Sequence, residues 1–339
     1  MMAALSDRLL SLAILGYVTA MLFYTIEYAF GSRGAVARTA ARIPRERQLV
    51  GAGVGASSAP VSPAPVSPVQ PVQAVPPVQA VQPTARGRAA MFGRIALGLN
   101  VLAALVHGAT LVTRGLAAGR VPWGNMYEFV IALSFVASVA WLVLVATRPT
   151  LRLLGLFVTL ALSLALGVAA LVLTTAAGPL VPALNSYWLK IHVTAAATAS
   201  GLLLVAFVPS ALFLIRAGYD QGKRRFPYTI GDKLPAGDTL ERLAFRVIAF
   251  AFPIWTFAIM CGAIWAEAAW GRYWGWDPKE TWSFISWVAY AAYLHARSTP
   301  SVKRTAATWF AVVAWGTMLI NLYVINFVAV GLHSYAGVQ

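Results

Sequence analysis

Eight separate stretches of this chain stay apolar for about the 20 residues that a helix needs to cross roughly 30 Å of hydrocarbon. They run approximately from Leu9 to Phe30, Ile95 to Val112, Phe129 to Thr147, Leu153 to Thr175, Ile191 to Ile215, Val247 to Ala266, Trp282 to His295 with a slightly earlier start, and Ala306 to Val330. With 59% hydrophobic and 11% charged side chains among 339 residues and a mean hydropathy of +0.71, the solvent for most of this surface is lipid, and a soluble globule is excluded. The expected fold class is all-α, a polytopic membrane helix bundle of about eight transmembrane helices. The first run has a charged lead, Asp7 and Arg8, no small-residue cleavage site and a length beyond a signal peptide's apolar core, so it is expected to remain as a spanning helix. The seventh run is short and aromatic, and its flanks decide it.

The net charge of +15 would suggest nucleic acid in a soluble domain, but here the positions of the charges carry the information. Lys and Arg concentrate in cytoplasmic loops. With the N-terminus outside, 20 of the 26 basic residues fall in inner loops, leaving Arg8, Arg114, Arg120, Lys190, Arg272 and Lys279 outside. Setting aside the long first loop still leaves 12 against 6, so both termini are expected outside. No nucleic acid partner is implied; the surrounding partner is membrane lipid.

Between the first two spans, Ser57 to Pro83 is built from Pro, Val, Ala, Gln and Ser without a charge. Such a composition favours extended polyproline conformation and cannot build a core, so it is read as a tether. The single cysteine, Cys261, lies inside an apolar run, which rules out an intramolecular disulfide, a CxxC redox pair or a thiolate cluster. Any thiol chemistry therefore belongs to a partner.

The loop before the seventh span is the informative one. Seven of the 12 tryptophans lie between Trp255 and Trp287, and five between residues 265 and 282, where an interfacial aromatic belt accounts for one or two per helix end. Trp270, Trp274 and Trp276, with Gly271 and Gly275 among the residues between them, make a wall for another large flat ring system. Arg272 and Lys279 are placed to pair with carboxylates on its edge, and a macrocycle carrying two propionates fits. Such a haem needs axial ligands. In the topology above, His192 opens the fifth span and His333 follows the eighth, both on the outer side with the Trp loop, and two imidazoles on opposite faces give a six-coordinate b-type site. His295 and His107 lie within apolar runs. His295 sits near the inner end of its span beside Arg297, and His107, in a small-residue context, reads most simply as an interhelical hydrogen-bonding residue.

Residues Trp270-Gly271-Arg272-Tyr273-Trp274-Gly275-Trp276-Asp277-Pro278-Lys279-Glu280-Thr281-Trp282 resemble the WWD signature, WGxxWxWD, of the haem-handling proteins of cytochrome c maturation. The segments Val181 to Val193, Tyr293-Leu294-His295-Ala296-Arg297 and Gly331-Leu332-His333-Ser334-Tyr335 are similar to the CcsA/ResC family of the System II pathway, often labelled CcsB in actinobacteria. The likeness runs from about Arg114 to Tyr335. It implies that His192 and His333 are the iron ligands of an external haem b, carried as ligand and cargo, with the Trp loop including Asp277 as its platform. It also implies a transmembrane haem site at His295, whose second ligand is thought to come from a partner, with His107 only a candidate. One departure is Arg120, where plastid relatives carry a histidine; another is the Pro-rich insert.

The division that follows is 1–30 as the first transmembrane helix, 31–90 as a cytoplasmic Pro/Ala/Val/Gln-rich linker, and 91–339 as a seven-helix haem-handling domain with an external Trp-rich loop at 265–282. The implied function is haem delivery and presentation to the CxxCH segment of apocytochrome c, from a multi-pass position in the bacterial plasma membrane. The implied partners are a ResB-like subunit, apocytochrome c and thiol-reducing thioredoxin-like proteins. Whether the chain is itself an enzyme or one subunit of a holocytochrome c synthase stays open. The rival readings are a b-type electron-transfer protein and a solute transporter with an aromatic gate.

Overall fold

The computed structural model describes residues 1–30, 83–180 and 185–333, with side chains from residue 87 onward in the second segment. Most of the Pro-rich tether, Val181 to Leu184, and Ser334 with Tyr335 lie outside the described residues. The described chain is helical, with no strand, as lipid requires of a backbone that must satisfy its own polar groups.

In order, α1 is Met2–Phe30, α2 Pro83–Ala118 and α3 Met126–Thr147; a 3₁₀ turn, Pro149–Leu154, then leads into α4, Gly155–Val172. After these come α5, Tyr187–Asp220, α6, Gly237–Trp270, α7, Pro278–Ser298, and α8, Arg304–Leu319. A π-helical turn, Ile320–Val324, and the short α9, Ile325–Val328, complete the chain's last span. Among the described residues, seven spans are long and apolar enough to cross a membrane. The eighth helix, α7, fails only on composition: at 21 residues it is ~31 Å long at 1.5 Å per residue, but it carries the polar and aromatic residues that face its neighbours. The helices begin a few residues earlier than their apolar runs because polar caps extend them. Asn125 accepts from the Glu128 amide at 2.9 Å to start α3, and Ser186 accepts from Trp188 at 3.2 Å to start α5.

α1 packs along α2 and α4, α5 along α6 and α3, and α7 along α8. Gly201 allows the closest approach: a Cβ there would stand 2.5 Å from the Leu133 carbonyl, so α5 and α3 touch backbone to backbone, the usual route to tight packing between helices in lipid. Three acids inside the bundle are paired with arginines. Glu128, fully buried, accepts from Arg114 at 3.0 Å and Arg120 at 2.7 Å; Glu27 pairs with Arg152; and Glu241 is shared by Arg297 and Arg304, tying the far ends of α6, α7 and α8. The cavity described next opens at the other end of those three helices.

Candidate functional site

One large cavity opens between the N-terminal ends of α3, α5 and α7, the C-terminal part of α6, and the chain's last described residues. Each wall is one face of a helix. α5 contributes Leu189, His192, Val193, Ala196 and Ser200; α6 contributes Trp255, Ile259, Gly262, Ala263 and Ala266, a single stripe at helical spacing. The π-helical turn adds Asn321 and Leu322, an example of a wide turn re-aiming side chains at a site.

His192 and His333 both line this cavity, although they are far apart in sequence. The His192 ring lies flat against Trp265, centroids 6.1 Å apart with 10° between planes. His333 meets the edges of Trp265 at 5.9 Å and Trp270 at 5.0 Å. Each imidazole is oriented through Nδ1. His192 Nδ1–H donates to the Ala258 carbonyl at 2.8 Å, and His333 Nδ1–H donates to Asp277 Oδ1 at 2.8 Å. In that tautomer Nε2 carries the lone pair, and anchoring one ring nitrogen to orient the other is how proteins hold metal-binding histidines. His192 reaches α6 because residue 262 is glycine: a Cβ there would stand 2.7 Å from His192 Cε1.

Asp277 links the Trp loop to His333. Its side chain starts α7 by accepting from the Lys279 amide at 3.1 Å, in a capping box completed by Glu280, whose Oε2 accepts from the Asp277 amide at 3.1 Å and the Gly275 amide at 2.8 Å. The same carboxylate takes the Leu332 amide on Oδ2 at 2.7 Å. Burial pushes the Asp277 carboxyl up, but the His333 hydrogen bond and charge, with the amides of Leu332 and Lys279, outweigh it and hold the group below its ordinary value. Just before it Trp276 takes a positive φ of 59°, an uncommon backbone state for a bulky residue, and turns outward with 67% of its surface exposed.

The expected site residues therefore separate. His192, His333, Trp270 and Trp274 line the cavity, and Asp277 is buried behind His333. Trp276 stands outside, edge-on to Trp274 at 5.7 Å and beside Phe284. Arg272 is exposed and folds against Gly275, away from the cavity lining, whereas Lys279 lines it. His295 is exposed near the C-terminal end of α7, ~24 Å along the helix from Lys279 at 1.5 Å per residue. His107 is enclosed by protein: Nδ1 lies 3.3 Å from Tyr17 Oη and Nε2 3.1 Å from the Ile131 carbonyl, an interhelical bridge among α1, α2 and α3. Arg120 spends its guanidinium on Glu128 and the Gly178 carbonyl.

Several lining residues carried no signal in the Trp loop itself: Trp123, Trp255, Trp315 and Asn321. The indole nitrogens of Trp123 and Trp255 and Oδ1 of Asn321 are buried without a hydrogen-bond partner. Buried polar atoms are normally satisfied, so orphans lining one cavity mark contacts left for a ligand. A planar apolar ring with polar edges and an open pair of axial positions suits this lining of indoles, aliphatic side chains and two oriented imidazoles.

The family model described as "Cytochrome C assembly protein" matches residues 123–333, from the cavity's first tryptophan to His333. The chain is 34% identical over 257 residues to the protein called "Cytochrome c biogenesis protein CcsA" of Guillardia theta, covering 71% of this chain and 85% of that relative. It is 33% identical over 308 residues to the protein of that name from Gloeobacter violaceus, covering 73% and 89% of the two chains. The likeness to the Chlamydomonas reinhardtii protein is 34% over 250 residues, 71% and 67% of the two.

Proposed function

Since the chain belongs to the CcsA/ResC family of cytochrome c assembly proteins and so serves the biogenesis of c-type cytochromes, we propose that its cavity holds haem b between His192 and His333 and presents it for attachment. The observation carrying this reading is the pair of imidazoles in one indole-lined cavity, each held through Nδ1. Two imidazoles alone hold a bare ion poorly; they complete the coordination of an iron that arrives with four equatorial nitrogens. Trp265 packs against both imidazoles and Trp270 against His333, and together they shield the ring from water.

The distribution of basic residues supports an outward-facing cavity with both termini on that side. Haem made inside would enter the bundle at His295, whose exposed position on α7 suits a site completed by a ligand from a partner such as a ResB-like subunit. At the outer cavity, a CxxCH segment of apocytochrome c docks against the loop that exposes Tyr273 and Trp276. Each thiol then adds across a vinyl group, sulfur bonding one carbon and the thiol proton going to the other, with no net change in electrons. The incoming histidine replaces one axial imidazole. The chain positions and the reactants do the covalent work. Its one cysteine, Cys261, is buried, so thioredoxin-like partners keep the client thiols reduced.

The test is reduced-minus-oxidised spectroscopy of the purified full-length protein supplied with haem. Six-coordinate low-spin haem is expected in the wild type and a Trp141→Phe control, lost from the outer site in His192→Ala and His333→Ala, and retained there in His295→Ala. A colourless wild type would refute the proposal.

A further inference from the structure

Two axial imidazoles fix the plane of a porphyrin but not its rotation about the N–Fe–N axis. Attachment requires the vinyl half of the ring, not the propionate half, to meet the client thiols, so something off the axis must set that rotation. Among the residues lining the cavity, Lys279 is the one lysine or arginine. Its polar contact is with Met126 Sδ at 3.7 Å, and thioether sulfur is a weak acceptor. Among the described residues its ammonium makes no salt bridge, and Asp277 acts on it only as a nearby charge; a cation withdrawn from water without a directly paired carboxylate is costly.

The neighbouring acids are committed elsewhere. Asp277 spends its oxygens on His333 and on the amides of Leu332 and Lys279, and Glu280 gives Oε2 to the amides of Gly275 and Asp277. Glu280 Oε1 is buried without a partner. Glu280 lines the cavity too, so an anion bound at this corner needs the lysine's charge against that of the acid. The buried indole N–H of Trp123 belongs to the same cavity lining, three residues in sequence before the Met126 that Lys279 touches. Arg272, the other outer cation of the loop, is outside the lining.

Resting on the haem-holding reading above, we infer that Lys279, with the Trp123 indole N–H beside it, is the carboxylate anchor that sets the in-plane orientation of the bound porphyrin. The propionate half turns to the flank between α3 and α7, and the vinyl half to the opposite side. Lys279 is a specificity-determining residue: it selects the dicarboxylic acid and one rotation of it.

The experiment compares haemin with haemin dimethyl ester, titrated by Soret absorbance into the detergent-solubilised full chain as wild type, Lys279→Met and Lys279→Arg. A buried charge-assisted contact predicts that the wild type binds the diacid ~10-fold or more tightly than the ester. Lys279→Met is expected to bind both forms with the ester's affinity and an unchanged low-spin spectrum, and Lys279→Arg to keep the preference. Equal affinities in the wild type, or a preference that survives in Lys279→Met, would overturn the inference while leaving the haem site standing. Absence of any low-spin absorbance with either compound would instead remove the haem site, and this inference with it.

Discussion

Replacing Asp277 by asparagine tests how the second imidazole is held. The carboxylate accepts His333 Nδ1–H on Oδ1 at 2.8 Å and the Leu332 amide on Oδ2 at 2.7 Å. An asparagine side chain has one oxygen, so one of those donors must face an NH₂ group. If the oxygen keeps the ring, the Leu332 amide is left buried and unsatisfied; if it keeps the amide, His333 must move its proton to Nε2, the atom needed by iron. Either way the loss is about 1–3 kcal/mol, which at roughly 1.4 kcal/mol per tenfold is ~5- to 150-fold in affinity. That overlaps the ~10- to 100-fold that orienting partners of metal ligands typically contribute. Asp277 is 3% exposed on its side chain, so water offers little replacement. Titrating haemin into Asp277→Asn should therefore show affinity down by that factor, with a mixed or high-spin spectrum that added imidazole restores toward low-spin. A spectrum and affinity within twofold of the wild type would show that the carboxylate does not orient His333.

Gly262→Ala should cut haem affinity more than ~10-fold while the helical circular dichroism is kept, because the new methyl would stand 2.7 Å from His192 Cε1 and the ring must leave the Ala258 carbonyl. Glu241→Ala should lower detergent-phase stability by ~1–3 kcal/mol, read as a lower Tm, without changing haem affinity: it strips the acid from Arg297 and Arg304 at the far end of the bundle, and both arginines reach solvent in part. Because the Asp277 carboxyl is held below its ordinary value, its clasp on residues 332–333 is fully present above about pH 3.9 and is lost as pH falls through the lower folded value. The fluorescence of Trp265 and Trp270, which pack on His333, should accordingly change at a midpoint below 3.9 in the wild type, and a midpoint above it would contradict the assignment.

The spans were legible because length in an apolar medium is a coarse signal: runs such as Phe129 to Thr147 fall within the helices that contain them. The short aromatic run at Trp282 lies within α7, whose start is set by Asp277, Pro278 and Glu280. The Trp loop also stood out, because belts do not explain five indoles. What stayed hidden was direction. A helix in lipid is apolar on both the core and the outer side, so no amphipathic stripe marks the face that turns inward. Trp255 and Trp315 looked like any other span tryptophan until α6 and α8 turned them toward one cavity. Similarly, sequence could not separate Arg272 from Lys279, seven residues apart, since the fold of the loop and not the residue type sends one outward and one in. The reading of His107 as an interhelical bridge rested on its small neighbours, and Tyr17 and the Ile131 carbonyl are the partners that those neighbours admit.

The two imidazoles are mounted differently. One grows from the second turn of a 34-residue helix and is held against the neighbouring helix by its contact with the Ala258 carbonyl. The other rides on a short strap beyond the final span, fastened by a single acid that also begins a helix from the aromatic loop. If His333 is an iron ligand as proposed, unfastening that buckle would free a coordination position without disturbing any span, and whatever presses on the aromatic loop would press on the buckle. On the haem-holding proposal, a carrier built this way would keep its cargo on the helix-borne imidazole while the strap-borne one lets go.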